Sequence, residues 1–89
     1  MIDSIREEFF YLEKERFSIL NDYILGIVNL DRVQEFGKRI ETIRIHLEEI
    51  EITEENLLEI ANMKSKVQHF YTEIMEEEEL LKQAYNNKM

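Results

Sequence analysis

The sequence predicts an all-α protein, an antiparallel three-helix bundle with a long third helix, and three observations carry that expectation. The chain of 89 residues has no proline, two glycines and no Asn-Gly or Asp-Gly dipeptide, so it holds little material for hairpins or linkers. Apolar residues make up 44% and charged residues 35%, which leaves few uncharged polar residues for loops. Apolar positions also recur three and four apart over long stretches, the spacing that keeps one seam of a helix against its neighbours. An extended, coiled-coil-like helical hairpin is the runner-up. Ala61 and Ala84 are the two alanines, so seams filled by Ile, Leu and aromatic side chains hold helix axes apart, as in a globular bundle. Residues 1–89 read as a single helical domain. A chain this short buries about 60% of its unfolded surface, enough for one core and no cofactor cradle beside it.

The first helix is expected over about 4–28, opened by Ser4 with Glu7 three residues on, a pairing that satisfies orphaned backbone N–H groups. Ile5, Phe9, Leu12, Ile19, Tyr23 and Leu30 form its seam with Arg16 inside the run. Phe10, Phe17, Ile24 and Ile27 form a second row beside it, and together the two rows read as a wide apolar face able to contact two neighbours. The second helix is expected over 31–51, opened by Asp31 with Gln34, and its seam of Val33, Phe36, Ile40, Ile43, Leu47 and Ile50 is unbroken. The third is expected over 54–86, opened by Thr53 with Glu54 and Glu55 at the positive end of the helix dipole. Its seam runs Ile60, Met63, Val67, Phe70, Ile74, then Glu77 as an interruption, then Leu81 and Ala84. Short turns force successive helices antiparallel.

Charge is uneven. Twenty acidic against eleven basic residues give a net charge of −9, which disfavours direct contact with nucleic acid. Arg32, Lys38, Arg39 and Arg44 make one stretch locally positive. Glu48, Glu49, Glu51, Glu54, Glu55 and Glu59 form an acidic ridge, read either as a solvated turn or as a surface for a basic partner. Within the run Glu76 to Glu79, Glu77 points inward. It marks the end of the monomer's core, a register-setting contact with a basic partner, or fraying.

No constellation supports catalysis. Without cysteine there is no thiol chemistry, thiolate metal site or disulfide. Neither His46 nor His69 fits a bridged two-metal template or a His-Glu-x-x-His segment, and the pair His69 and Glu73 falls short of the four ligands of structural zinc. No serine sits on a glycine-framed turn. No enzyme activity, cofactor or metal is expected. Phe9, Phe10 and Tyr11 span about 200° of a helix, so at least one is peripheral. Phe10, Tyr11, Ile45 and Ile52 are therefore candidate partner contacts, as contiguous apolar patches usually are, alongside Glu48, Glu49, Glu51, Glu55, Glu59, Glu76 and Glu77. The third helix should overhang the second from about Glu76. That exposes Leu80, Leu81, Ala84 and Tyr85, a strip that a second copy of the chain would cover, making a homodimer.

The expected function is a small acidic regulator or inhibitor of another protein. In one variant it is a phage- or mobile-element-encoded DNA mimic occupying a nucleic-acid-binding protein. The alternative is a secretion-chaperone-like or oligomerising structural subunit. Tyr23 to Leu30 is too short and interrupted to span a membrane, and Asp3, Glu7 and Glu8 stand where a signal peptide is basic, so a cytoplasmic location is expected.

The second seam yields a direct expectation. Phe36→Ala and Ile40→Ala should each lower stability by about 2–5 kcal/mol, a large share of what a domain of this size possesses. Thermal melts check this, and wild-type midpoints for both would mean that the core lies elsewhere.

Overall fold

A computed structural model describes residues 2–87, with side chains described through Ala84. Three helices follow in order, α1 (Ile2–Leu25), α2 (Leu30–Glu49) and α3 (Leu57–Asn87). They form an up-down-up bundle of 53 × 19 × 16 Å in which α1 and α3 run parallel and α2 antiparallel to both. Among the described residues no helix is long and apolar enough to cross a membrane.

Each helix end has a local cause, and each differs from the sequence expectation. α1 begins at Ile2, before Ser4, because Ile2 packs against the core beneath Ile5 and extends the helix by half a turn. It ends at Leu25 because Gly26 takes a positive φ of 75°, open to glycine at little cost. Gly26 N–H then donates to Tyr23 O (3.1 Å) and Ile27 N–H to Asp22 O (2.9 Å), a Schellman closure that stops the helix three residues short of position 28. The cap of α2 is Asn29, whose side chain accepts from Arg32 N–H at 2.9 Å, while Asp31 occupies the first turn. α2 ends at Glu49, and Ile50 turns extended while remaining buried. Thr53 does prepare α3, but with Asn56 as its reciprocal partner. Thr53 Oγ1 accepts from Asn56 N–H at 3.3 Å and Asn56 Oδ1 from Thr53 N–H at 2.7 Å, so Glu54 to Asn56 form a turn and the α-helix proper starts at Leu57.

The core follows the expected seams. All six seam residues of α2 are buried, with Phe36 and Ile40 at 0% exposure, and Ile60, Met63, Val67 and Ile74 meet them from α3. Phe9 of α1 is buried and stacks on Phe70, centroids 6.4 Å apart. The second row of α1 does not join this core: Phe10, Phe17, Ile24 and Ile27 are all exposed. Two neighbours cover one seam of a helix, and this row lies about a third of a turn beyond it.

Ion pairs repeat every seven residues and hold the helices in register. Glu8, Glu15 and Asp22 on α1 meet His46, Arg39 and Arg32 on α2, each pair one heptad forward on α1 and one back on α2. The locally positive stretch of α2 is thus answered by acids of α1. Between the parallel helices, Arg6 pairs with Glu59 and, seven residues on in both, Glu13 with Lys66. α2 packs closely on both neighbours, whereas α1 and α3 approach each other little and are joined mainly through long side chains.

The centre of that joint is a buried charge. Arg16 donates to both oxygens of Glu77 (3.1 and 2.8 Å) and to Glu73 (2.6 Å), with 6% of the Arg16 and 11% of the Glu77 side chain exposed. Burial opposes the charge on Arg16, but the bonds to Glu77 and Glu73 outweigh it and hold the guanidinium's pKa above its ordinary value. Glu77 is therefore an internal, register-setting contact and not a partner-binding residue. The core continues past it, because Leu81 packs against the cluster. The overhang of α3 consequently starts beyond Leu81, not at Glu76, because α2 itself reaches this level: Gln34 near its start donates to Glu78 at 3.3 Å.

Glu77→Ala leaves the buried guanidinium with Glu73 alone and should cost on the order of 3 kcal/mol, whereas Arg16→Met combined with Glu77→Met should restore most of the loss. Denaturant titration of the three proteins checks this. A double variant no more stable than Glu77→Ala would mean that the pair contributes more than charge compensation.

Candidate protein-binding surface

The residues singled out in the sequence fall in separate places. Phe10 and Tyr11 are exposed and meet edge-on at 5.8 Å, but they face different sides, with Lys14 over the Phe10 ring at 4.7 Å and Tyr11 beside Arg39, Thr42 and Ile43 of α2. Ile45 is exposed in a shallow groove with Lys64 and Gln68 of α3. Ile52, Glu51 and Glu55 are exposed at the α2–α3 turn, beside Leu57 and Leu58. Glu48 and Glu49 are exposed at the end of α2, with Glu48 lying 3.9 Å from Lys64. Glu76 and Leu80 are exposed on the far part of α3, and Tyr85 lies outside the residues whose side chains are described. Leu81 is half-buried against the core, which removes it from the free surface.

One exposed apolar row belongs to the wide face of the first helix that the sequence reading turned toward two neighbours. Phe10, Phe17 and Ile24 stand seven residues apart on α1, about 10.5 Å per step, and Phe17 and Ile24 are each 75% exposed. Leu20 lies between them on the same side. Because Arg16 is level with Glu73 and Glu77 on the parallel α3, Leu20 and Ile24 are level with Leu80 and Ala84 one turn further on. Phe17, Leu20 and Ile24 therefore stand exposed on one side of the loosely approached α1–α3 joint, with Leu80 exposed on the other. The signal in the sequence was the seven-residue row itself, set off from a seam that already satisfied both neighbours.

Polar groups with catalytic potential are engaged in structural bonds. His46 Nδ1 lies 2.8 Å from Glu8, and His69 Nε2 lies 2.7 Å from Glu73, whose other oxygen binds Arg16. Ser18 Oγ accepts from Arg32 at 2.7 Å. Among the described residues no three His, Asp or Glu side chains converge as a metal site. Of the acidic ridge, Glu59 is held by two 2.8 Å bonds from Arg6, which draw its pKa below the ordinary carboxylate value despite a small opposing effect of burial.

Compared with protein-family models, with curated proteins and with solved structures, the chain matches none.

The Arg6–Glu59 bond gives a pH expectation. Since Glu59 stays charged to lower pH when folded, the bond adds stability above the ordinary carboxylate range and loses it as pH falls through the depressed midpoint. NMR titration should place Glu59 below 4.5, and Arg6→Ala should return it toward that value. An unchanged midpoint in the variant would mean that the bond does not form in solution.

Proposed function

We propose that this chain is a small, non-enzymatic protein-binding module that regulates or inhibits another protein. The observation that carries the reading is the exposed row Phe10, Phe17 and Ile24, with Leu20 beside it, on a helix whose other face buries Ile5, Phe9, Leu12, Arg16 and Ile19. Exposed aromatic and aliphatic side chains in one contiguous row have no role in the fold. Their burial against a partner would supply affinity, at roughly 25 cal/mol per Å² of apolar surface before the costs of association. The net charge of −9 would add steering toward a basic partner.

The DNA-mimic form of this reading draws less support. Its glutamates lie at opposite ends of a 53 Å body, and Glu59, Glu77 and Glu78 are engaged by Arg6, Arg16 and Lys82. The homodimer rested on a strip of α3 that the packing of Leu81 shortens. A helix-in-groove contact, the feature shared with secretion chaperones, is favoured by the open joint between α1 and α3.

The test compares the wild-type chain with a Phe10→Ser/Phe17→Ser variant as bait in extract of the native host. Circular dichroism should be unchanged, because both residues are exposed. A specific protein retained by the wild type, lost from the variant and released by added salt is the expected outcome. Equal retention by both baits would sink the reading.

A further inference from the structure

We infer that the groove between the upper halves of α1 and α3 seats a basic amphipathic helix of a partner protein, so that the complex is a four-helix bundle; this rests on the binding-module reading above. The groove has the geometry of a helix seat. Its α1 wall repeats Phe17, Leu20 and Ile24 at i, i+3 and i+7, the spacing with which one helix reads another, and Leu80 lies across from it. Below it the Arg16–Glu77–Glu73 cluster ties α1 to α3.

Charge identifies the occupant. Glu73 and Glu76 border the α3 wall, with Glu79 on its outer slope. Glu76 has no described cation beside it, and Glu79 accepts one long bond, 3.4 Å, from Gln83. The cations of the α1–α3 joint, Arg6, Arg16 and Lys66, each face a carboxylate already. Lys14 lies over Phe10 below the groove. Along α1 from Phe17 to Leu25 the one charge is Asp22, bonded to Arg32 on the α2 side. The α1 side is therefore apolar and neutral, the α3 side carries Glu73 and Glu76 beside Leu80, and among the described residues the cations of the joint already face carboxylates. A helix with Leu-like residues on one face and Lys or Arg flanking them complements both features. A second copy of this chain would bring another −9 charges and another glutamate rim against this one.

The test uses the full chain, labelled with nitrogen-15, and a synthetic Leu/Lys amphipathic helix of about 18 residues, ~27 Å long. A Leu/Gln peptide of the same apolar pattern is the control. Binding of the Leu/Lys helix should shift resonances on both walls, at Leu20 and Ile24 and at Leu80. Ile24→Ser and Leu80→Ser should each weaken it about tenfold, and Glu76→Gln with Glu79→Gln should bring it toward the weaker Leu/Gln peptide. Shifts confined to Glu48–Glu55, or equal affinity in the wall variants, would overturn the inference. So would a full-length chain that sedimentation finds to be a dimer and that Ile24→Ser converts to a monomer, which would make the occupant a second copy. If the peptide fails while the host protein is still captured through Phe10 and Phe17, the groove inference falls and the binding-module reading stands. If neither binds, both fall.

Discussion

A guanidinium taken out of water is tolerated only where carboxylates surround it, and Arg16 sits in the apolar run of α1 with 6% of its side chain exposed. Glu77 and Glu73 are its compensation, and both come from α3. This one requirement sets the level of α1 against α3, because sliding either helix by a heptad would carry Arg16 away from the Glu73–Glu77 pair and leave a buried charge unpaired. Hydrophobic seams alone tolerate such a slide, since apolar contacts at heptad spacing resemble those one heptad away. The cluster therefore contributes specificity of register where the seams contribute most of the stability.

The remaining registers follow the same rule with cheaper, more exposed pairs. Glu8, Glu15 and Asp22 meet His46, Arg39 and Arg32 at matching heptads, and Glu13 meets Lys66 one heptad above Arg6 and Glu59. Individually such surface pairs are worth about 0–1 kcal/mol, but as a periodic set they penalise every alternative alignment together. They also engage Arg6, Arg32, Arg39 and Lys66, four of the eleven Lys and Arg residues. The acids left over, chiefly at the α2–α3 turn and at Glu76 and Glu79, carry the net charge outward.

Long side chains bridging α1 and α3 have a second consequence. Because Arg6, Arg16 and Lys66 span that joint, the two helices need not approach closely, and the bundle is open there in a way it is not along α2. Phe17, Leu20, Ile24 and Leu80 border the opening. A scaffold held by buried and periodic charges thus leaves an apolar, uncharged seat on one side, which is the physical basis for reading the protein as a module that receives a helix.

Much of the fold was legible in the sequence, because seam spacing is a local property. The five buried residues of α2, the buried Ile50 that follows it, the inward turn of Glu77 and the exposure of at least one residue of the Phe9–Tyr11 triplet all follow from helical periodicity. Helix ends were legible less well. Gly26 stops α1 through a left-handed backbone, and Asn29 and Asn56 supply the capping bonds, choices among several short polar residues that differ little in chemistry. The candidate site was the least legible. Phe10, Phe17 and Ile24 have the composition of a core face, and whether such a row is covered depends on how many helices surround α1 and where they lie. The sequence by itself determined which residues can share a face; the tertiary structure alone decided which faces have a neighbour, because burial is a property of the arrangement and not of the helix.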